Sequence, residues 1–138
     1  MSILAYKRTI RETESPRQIE RRILLAANVK LESFAAAFDA ASTGSDKLGV
    51  LAGGLREALA ENQKVWNAFR TDLTGPGNSL PQGLRAALLS ISHWVDKQTS
   101  AILSGKSRVR PLIEINRNII AGLAGDAGEH PVKSAGAL

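Results

Sequence analysis

The sequence predicts an all-α protein built as a single bundle of about four helices, with a short N-terminal arm and a flexible C-terminal tail. Apolar residues recur at spacings of three and four along most of the chain, as they do on the buried face of a helix. Proline, glycine and asparagine cluster at a few points between these periodic segments, where helices end and turns begin. No segment of similar length alternates apolar and polar residues as a half-buried strand does. Together these observations indicate a helical bundle.

Length and composition place the chain among ordinary folded domains. Its 138 residues are the size of one domain and can bury a core without crosslinks. Hydrophobic residues make up 43% of the chain and charged residues 22%, a balance typical of folded domains. The absence of cysteine excludes a disulfide framework and a thiolate metal site. The longest apolar run near the N-terminus, residues 23–27, is too short for a signal peptide or a membrane span, so we expect a cytoplasmic protein without a membrane partner.

The first helix is predicted to begin at Pro16, after an arm whose apolar anchor is residues 3–6. Ser15 is a favourable N-cap, proline suits the first helical position, and Gln18 can complete a capping box with Ser15. Residues 43–44, Thr-Gly, should end the helix. Its apolar positions are Ile19, Ile23, Leu24, Ala27, Leu31, Phe34, Phe38 and Ala41.

The second helix is predicted to run from a cap at residues 45–46, Ser-Asp, to a turn at residues 75–78, Gly-Pro-Gly-Asn. Its apolar positions alternate at spacings of four and three, which is typical of a bundle seam, if Asn62 fills the place of a missing apolar residue. These positions are Leu48, Ala52, Leu55, Leu59, Trp66, Phe69 and Leu73. Three glycines within residues 49–54 each weaken a helix by about 1 kcal/mol relative to alanine. We therefore expect fraying, a kink or a shortened helix at this end.

The third helix is predicted to begin at Pro81 and to end at Gly105. Gln98 lies on its seam and Thr99 lies beside it. The predicted buried face consists of Leu84, Leu88, Ile91, Val95 and Ile102.

The fourth helix is predicted to have Pro111 in its first turn, because a proline there loses no hydrogen bond. Its apolar positions are Leu112, Ile115, Ile119, Ile120 and Leu123. From Gly125 onward the residues show no periodicity, which predicts a flexible tail. The chain therefore divides into a helical domain, residues 1–124, and a tail, residues 125–138.

The chain offers no constellation of residues for catalysis. His93, in the third predicted helix, has no second histidine or cluster of carboxylates at a spacing of three or four, and His130 lies in the predicted tail. Residues 75–77, Gly-Pro-Gly, lack the Lys-Ser/Thr ending and the preceding strand of a phosphate-binding loop. We therefore expect no enzymatic activity, no metal, no cofactor and no small-molecule substrate.

Three amide side chains occupy seam positions that are otherwise apolar: Asn62, Gln98 and Asn116. Burying such a group without a partner is costly. Either these side chains hydrogen-bond one another and set the register of the helices, or they line a groove that stays open until a partner binds. Trp66 and Trp94 present the same choice between the core and a partner-binding surface.

Residues 62–123 contain several short motifs of asparagine, proline and tryptophan, at positions where helix packing alone does not require these residue types. They are Asn62 with Trp66, Asn78-Ser79-Leu80-Pro81 with Leu84-Arg85-Ala86, Trp94-Val95 with Thr99, and Pro111 to Arg117 with Gly122-Leu123. In this order and register the motifs resemble those of the FlaF family of flagellar biosynthesis regulators. Tyr6 and residues 16–17, Pro-Arg, also fit the opening of that family.

The resemblance implies a cytoplasmic chaperone or regulator that binds flagellin and promotes flagellin synthesis, secretion and flagellum assembly. It also implies that the protein works beside FlbT, a regulator that represses flagellin translation. The ends of flagellin are amphipathic helical segments that stay unpaired until polymerisation, so a helical protein with an apolar groove could shield them. On this interpretation the residues expected to contact the partner are Asn62, Trp66, Asn78, Leu80, Pro81, Arg85, Trp94, Thr99, Pro111, Leu112, Asn116 and Arg117.

An RNA-binding regulator of the flagellin message is the alternative. A net charge of +5 and a pI near 10.0 permit contact with nucleic acid. The basic residues are spread along the chain, however, and no aromatic residues are interleaved with them for stacking on bases. The densest basic group, which a solvated surface explains, consists of Lys97, Lys106, Arg108 and Arg110, followed by Arg117. Flagellin is therefore the expected partner, and nucleic acid is not.

Overall fold

The computed structural model describes residues 15–128, and their side chains as far as residue 124. All regular elements in this part of the chain are helices: α1 Pro16–Ala40, α2 Gly44–Val50, α3 Arg56–Thr74, α4 Gln82–Leu103 and α5 Arg110–Gly128, with a kinked segment Leu51–Leu55 between α2 and α3. Four helices are long and α2 is short, so the predicted all-α bundle of about four helices is confirmed. The predicted arm, and residues 129–138 of the predicted tail, lie outside the described residues.

The start of α1 is capped as predicted. Ser15 Oγ accepts a hydrogen bond from the Gln18 backbone N–H at 3.1 Å, and the Gln18 side chain accepts one from the Ser15 N–H at 2.9 Å. Both halves of the capping box are therefore present. The buried face of α1 consists of Leu24, Ala27, Asn28, Leu31, Ala35 and Phe38.

The cap of α2 differs from the prediction. Thr43, rather than residues 45–46, precedes the helix in extended conformation, and its hydroxyl oxygen accepts a hydrogen bond from the Asp46 N–H at 3.0 Å. Only a residue outside the helix can turn its side chain back onto the first free N–H groups, so Thr43 takes the capping role that the sequence had placed on Ser45 and Asp46.

Of the three alternatives predicted for the glycine-rich end of the second helix, fraying, a kink or a shortened helix, the structure shows a kink, and it occurs at Gly54. Its φ is +142°, a region that residues with side chains rarely adopt. The ring of Phe34 also packs on this glycine, since a Cβ added there would lie 2.4 Å from Phe34 Cζ. Gly54 therefore lets the chain change direction between α2 and α3 while α1 packs closely against it.

The long helices form three well-packed pairs and one open pair. α1 packs most extensively against α5 and next against α3, and α4 packs against α3 but makes little contact with α5. α1 and α5 are antiparallel, because Asp39 near the end of α1 contacts Val109 before the start of α5, whereas Asn28 contacts Asn116 farther along. Core residues that are fully buried come from all four long helices and include Leu31, Phe38, Trp66, Val95, Ile102 and Leu112.

The buried face of α4 is rotated from the predicted one. Ile91 is only half-buried, whereas Ser92 and Thr99 are buried together with Val95 and Ile102. Leu84 and Leu88 share the face of Val95 but lie near the N-terminal end of α4, where Leu84 is 46% exposed and Leu88 is half-buried. The reason is that α4 docks on α3 rather than evenly on both neighbours.

Polar contacts with α3 allow Ser92 to face inward. Arg70 donates hydrogen bonds from Nε to Ser92 Oγ and from Nη2 to the Ser92 carbonyl, both at 3.1 Å, and Nη2 also pairs with Asp96 at 2.7 Å. The Thr99 hydroxyl is satisfied within α4 by the Val95 carbonyl at 2.7 Å. These hydrogen bonds offset the cost of burying Ser92 and Thr99, which lie on the buried face of α4 although the predicted buried face contained only apolar residues.

α5 begins at a cap provided by another helix. The carboxylate of Asp39 in α1 accepts hydrogen bonds from the backbone N–H groups of Val109 at 2.7 Å and Arg110 at 3.0 Å. Pro111 lies in the first turn, as predicted. The helix continues to Gly128, beyond the predicted boundary at residue 124.

Candidate functional site

A cluster of buried amides ties α1, α3 and α5 together at the centre of the bundle. Asn116 Nδ2 donates to Asn28 Oδ1 at 2.9 Å and to Asn62 Oδ1 at 2.8 Å, and Asn116 Oδ1 accepts from the Trp66 indole N–H at 2.9 Å. Asn28 Nδ2 in turn donates to the Ile113 carbonyl at 3.3 Å. We call Asn28, Asn62, Asn116 and Trp66 the amide cluster. Each of its side chains is at most 2% exposed.

The amide cluster decides between the two interpretations of the seam amides. Asn62 and Asn116 hydrogen-bond each other in the core, and Trp66 is buried against them, so the interpretation as a buried layer is confirmed and the open groove is wrong for these three residues. The bonding is incomplete, because the buried Asn62 Nδ2 has no hydrogen-bond partner among the described residues. The layer therefore favours one register of the helices at some cost in stability.

Gln98 does not join the amide cluster. Its Nε2 donates to Ser107 Oγ at 2.8 Å and to the Arg108 carbonyl at 2.9 Å, and so holds the loop between α4 and α5. The rotation of α4 explains this position, because it moves Gln98 from the centre of the bundle to the flank of α4 that faces the start of α5.

Sequence reasoning missed Asn28, although the signal was present. Asn28 follows Leu24 by four residues and precedes Leu31 by three and Ala35 by seven, which is the same seam spacing that singled out Asn62. The spacing of Asn28 on the first helix thus indicated a third buried asparagine beside Asn62 and Asn116.

The predicted partner-contact residues divide by exposure. Five are buried in this folded form: Asn62, Trp66, Thr99, Leu112 and Asn116. The half-buried ones are Asn78, Leu80, Arg85, Trp94 and Pro111, and the exposed ones are Pro81 and Arg117. Contact with a partner stays a prediction for all twelve, and the seven that are not buried are the ones a partner can reach without a change in this fold.

Asn78 shapes the turn between α3 and α4. Its Nδ2 donates to the carbonyl and to the carboxylate of Asp72, both at 3.2 Å, and its Oδ1 accepts from the Leu80 N–H at 3.0 Å. Leu80 packs against the core at its edge. The interpretation of Asn78 as a residue that bonds and caps the turn is therefore confirmed.

Arg117 lies on the side of α5 that faces α1. Its Nη2 and Nε donate to Glu32 Oε2 at 2.5 Å and 3.1 Å, and its side chain is 56% exposed. Because successive helical residues are rotated by about 100°, residues two positions away lie nearly opposite. Ile115 and Ile119 are therefore on the far side of α5 from Arg117 and α1.

Four half-buried apolar side chains line the open pair of helices. Ile91 and Trp94 lie on the flank of α4 that carries Gln98, and Ile115 and Ile119 lie on the flank of α5 turned away from α1. All four touch the edge of the core without being enclosed by it. We call these residues the α4/α5 seam. Since α4 and α5 make little contact, an apolar helix laid along the seam could cover side chains that the bundle itself leaves half-exposed.

A small apolar pocket of about 70 Å³ lies between α1, α3 and α5. Glu20 lies at its edge, next to Leu24 and Phe69. Burial raises the pKa of the Glu20 carboxyl above its ordinary value, and Asp72 adds to this rise, against the opposing effect of Arg17 at 2.9 Å.

Among the side chains of residues 15–124, no group of three or more histidine, cysteine, aspartate or glutamate residues is placed to hold a metal ion. No described helix combines the length and the apolar character needed to cross a membrane.

Comparison with known proteins identifies the family. The chain matches the family described as flagellar protein FlaF over residues 2–123, which includes all the motifs between Asn62 and Leu123. Comparison with curated proteins and with solved structures gave no match. Because the family match spans most of the 138 residues, the chain belongs to the FlaF family of flagellar proteins.

Proposed function

We propose that this flagellar protein is a non-catalytic, cytoplasmic chaperone that binds flagellin and promotes its synthesis, its secretion and its assembly into the flagellum. Membership of the FlaF family supports a flagellar role. The observation that carries the finer proposal is the α4/α5 seam, an apolar surface that crosses two helices and is left incompletely covered. FlbT, as a second regulator of flagellin, is a further expected partner.

The way α4 is held makes the seam suitable for reversible capture of a helix. Polar bonds fasten α4 to α3, since Asp96 accepts hydrogen bonds from Gln63 at 2.6 Å and from Arg70 at 2.7 Å. These bonds keep α4 in place without requiring the opposite flank, with Ile91 and Trp94, to be buried. A chaperone needs such a partly desolvated apolar surface, because it must bind an amphipathic segment and later release it.

RNA binding is less well supported. Proteins that bind single-stranded RNA without a fixed sequence stack bases on exposed aromatic side chains. Among the described aromatic residues, Phe38, Trp66 and Phe69 are buried, and Phe34 and Trp94 are half-buried. An apolar seam with one half-buried indole suits a helix better than a run of bases.

Size-exclusion chromatography of the full chain with monomeric flagellin tests the proposal. We expect a joint peak with one copy of each protein, unchanged by nuclease treatment. Separate elution at micromolar concentrations of both proteins overturns the proposal.

Paired variants locate the binding surface. Trp94→Ala should weaken flagellin binding, because it removes the largest side chain of the seam. Leu25→Ala is the matched control, since Leu25 is an apolar side chain that is 43% exposed on α1, away from the seam. Equal loss of binding in both variants, with intact folds, removes the seam as the site.

A further inference from the structure

The charges around the α4/α5 seam are unevenly distributed. Residues 82–124, which form α4, the following loop and the described side chains of α5, contain six basic and two acidic residues. The basic residues are Arg85, Lys97, Lys106, Arg108, Arg110 and Arg117, and the acidic ones are Asp96 and Glu114. Asp96 is already paired with Arg70, and Arg117 with Glu32, so most of the remaining charge on this half of the bundle is positive.

Two of these cations border the seam itself. Lys97 follows Trp94 by three residues on α4, which places the two side chains on neighbouring positions of one face. The backbone of Arg108 lies at the same end of the seam, because Gln98, the residue after Lys97, donates a side-chain hydrogen bond to the Arg108 carbonyl at 2.9 Å. The side chains of Lys97 and Arg108 are exposed, and neither forms an ion pair with a described residue.

Other causes account for some of the neighbouring cations. Lys106 lies just after the end of α4, where a positive charge complements the helix dipole. Arg110 lies where α5 meets α1, because its N–H bonds to Asp39. Lys97 stands well inside α4, and Arg108 precedes the capped start of α5, so neither helix terminus explains these two.

We infer that the α4/α5 seam selects an amphipathic helix whose apolar face is bordered by carboxylates, which meet Lys97 and Arg108. This inference deepens the proposed function and rests on it. Apolar side chains cover Ile91, Trp94, Ile115 and Ile119, while acidic side chains at the border supply charge complementarity, which favours the correct partner and register more than it adds affinity. The apolar walls distinguish this partner from a nucleic acid, whose phosphates need the cations alone.

Two synthetic helical peptides test the inference with the full chain. Both have about five helical turns and the same leucine face, and they carry either glutamate or lysine along the borders of that face. Fluorescence anisotropy of the labelled peptides should show that the parent protein binds the glutamate peptide about tenfold more tightly. Added salt should reduce this preference, because both cations are exposed.

Charge-reversed proteins test the two residues. The double variant Lys97→Glu with Arg108→Glu should bind the glutamate peptide about tenfold more weakly than the parent does and should instead prefer the lysine peptide. Arg56→Glu with Lys64→Glu is the control, because it makes the same change of net charge at exposed positions of α3 and should leave the preference unchanged. Circular dichroism melting confirms that each variant is folded.

The outcomes separate this inference from the proposed function. Equal binding of both peptides by the parent, or an unchanged preference in the reversed variant, overturns the inference, while co-elution with flagellin would leave the proposed function standing. Failure of the parent to bind flagellin overturns the proposed function itself. Binding of a mixed-sequence RNA that is lost on charge reversal but kept in Trp94→Ala assigns the cations to phosphate, and also overturns the inference.

Discussion

Trp66 and Asn116 belong to two separate motifs of the sequence, 50 residues apart, and form a buried hydrogen bond of 2.9 Å between α3 and α5. The same Asn116 also bonds Asn28 and Asn62 through its amide nitrogen. Two of the sequence motifs are thus parts of one structural unit. Their role in the isolated protein is to join three helices, and binding has to be sought on side chains nearer the surface.

Asn116→Leu should destabilise the protein more than Asn62→Leu. Loss of Asn116 leaves the Trp66 indole N–H and the side-chain oxygens of Asn28 and Asn62 buried without this partner, at about 1–3 kcal/mol for each group. Loss of Asn62 removes only one bond and also removes a donor that is already unsatisfied, so about 1 kcal/mol is expected. Thermal melting followed by circular dichroism measures both. A more stable Asn116→Leu variant would contradict this account of the cluster.

Gly54→Ala should destabilise the protein by about 2–4 kcal/mol, because it combines an unfavourable positive φ with a clash against Phe34. Gly53→Ala is the control, since a Cβ there meets no atom within 4 Å. It should be neutral or stabilising by up to about 1 kcal/mol. Chemical denaturation of the two variants gives the comparison, and similar unfolding free energies would show that the kink does not require Gly54.

Arg117→Ala should change the unfolding free energy by less than about 1 kcal/mol, because its ion pair with Glu32 is exposed. Two expectations differ for flagellin binding. If the α4/α5 seam is the contact surface, binding should be unchanged, since Arg117 lies on the opposite side of α5 against Glu32; if Arg117 itself contacts the partner, as the sequence predicts, binding should be lost. Calorimetric titration with flagellin beside a thermal melt checks both statements. Lost binding with an intact fold would move the contact surface to the α1/α5 side and contradict the seam.

Glu20→Gln should raise the melting temperature at neutral pH. Burial raises the pKa of the Glu20 carboxyl in the folded state above its value in the unfolded state. The stabilisation of the folded state by the protonated carboxyl is therefore complete below the unfolded-state pKa and is lost as the pH rises through the folded-state pKa. A neutral glutamine avoids that loss, and its advantage should vanish at about pH 3.5, where the parent carboxyl is protonated in both states. Melting curves at the two pH values provide the test, and an equal effect at both would rule out a titration of Glu20 as the cause.

Half-buried positions show why the candidate site could be only partly predicted. Trp94 and the signature from Pro111 to Arg117 stood out in the sequence, but Ile115 and Ile119 read as ordinary core residues. Whether an isoleucine at helical spacing is enclosed or left at an edge depends on how closely the neighbouring helix approaches, and α4 stays away from α5. The seam is therefore a property of the packing, and no residue type in the pattern signals it.

The sequence by itself determined the features that depend on residues close together in the chain. The capping box of Ser15 and Gln18, the kink at Gly54 and the turn at Asn78 each form between groups at most six residues apart or at one backbone position. Such features follow from local geometry whatever the rest of the chain does. The all-α class follows in the same way from the apolar spacing.

Only the tertiary structure decided which distant side chains meet. Asn28 and Asn116 are 88 residues apart, and Asp39 caps a helix that starts some 70 residues later. Burying an amide side chain is tolerated where a hydrogen-bond partner reaches it and destabilises the fold where none does. The role of each asparagine therefore depends on the final arrangement of α1, α3 and α5. The rotation of α4 has the same origin, because Arg70 and Gln63 on α3 provide polar partners that no pattern within α4 reveals.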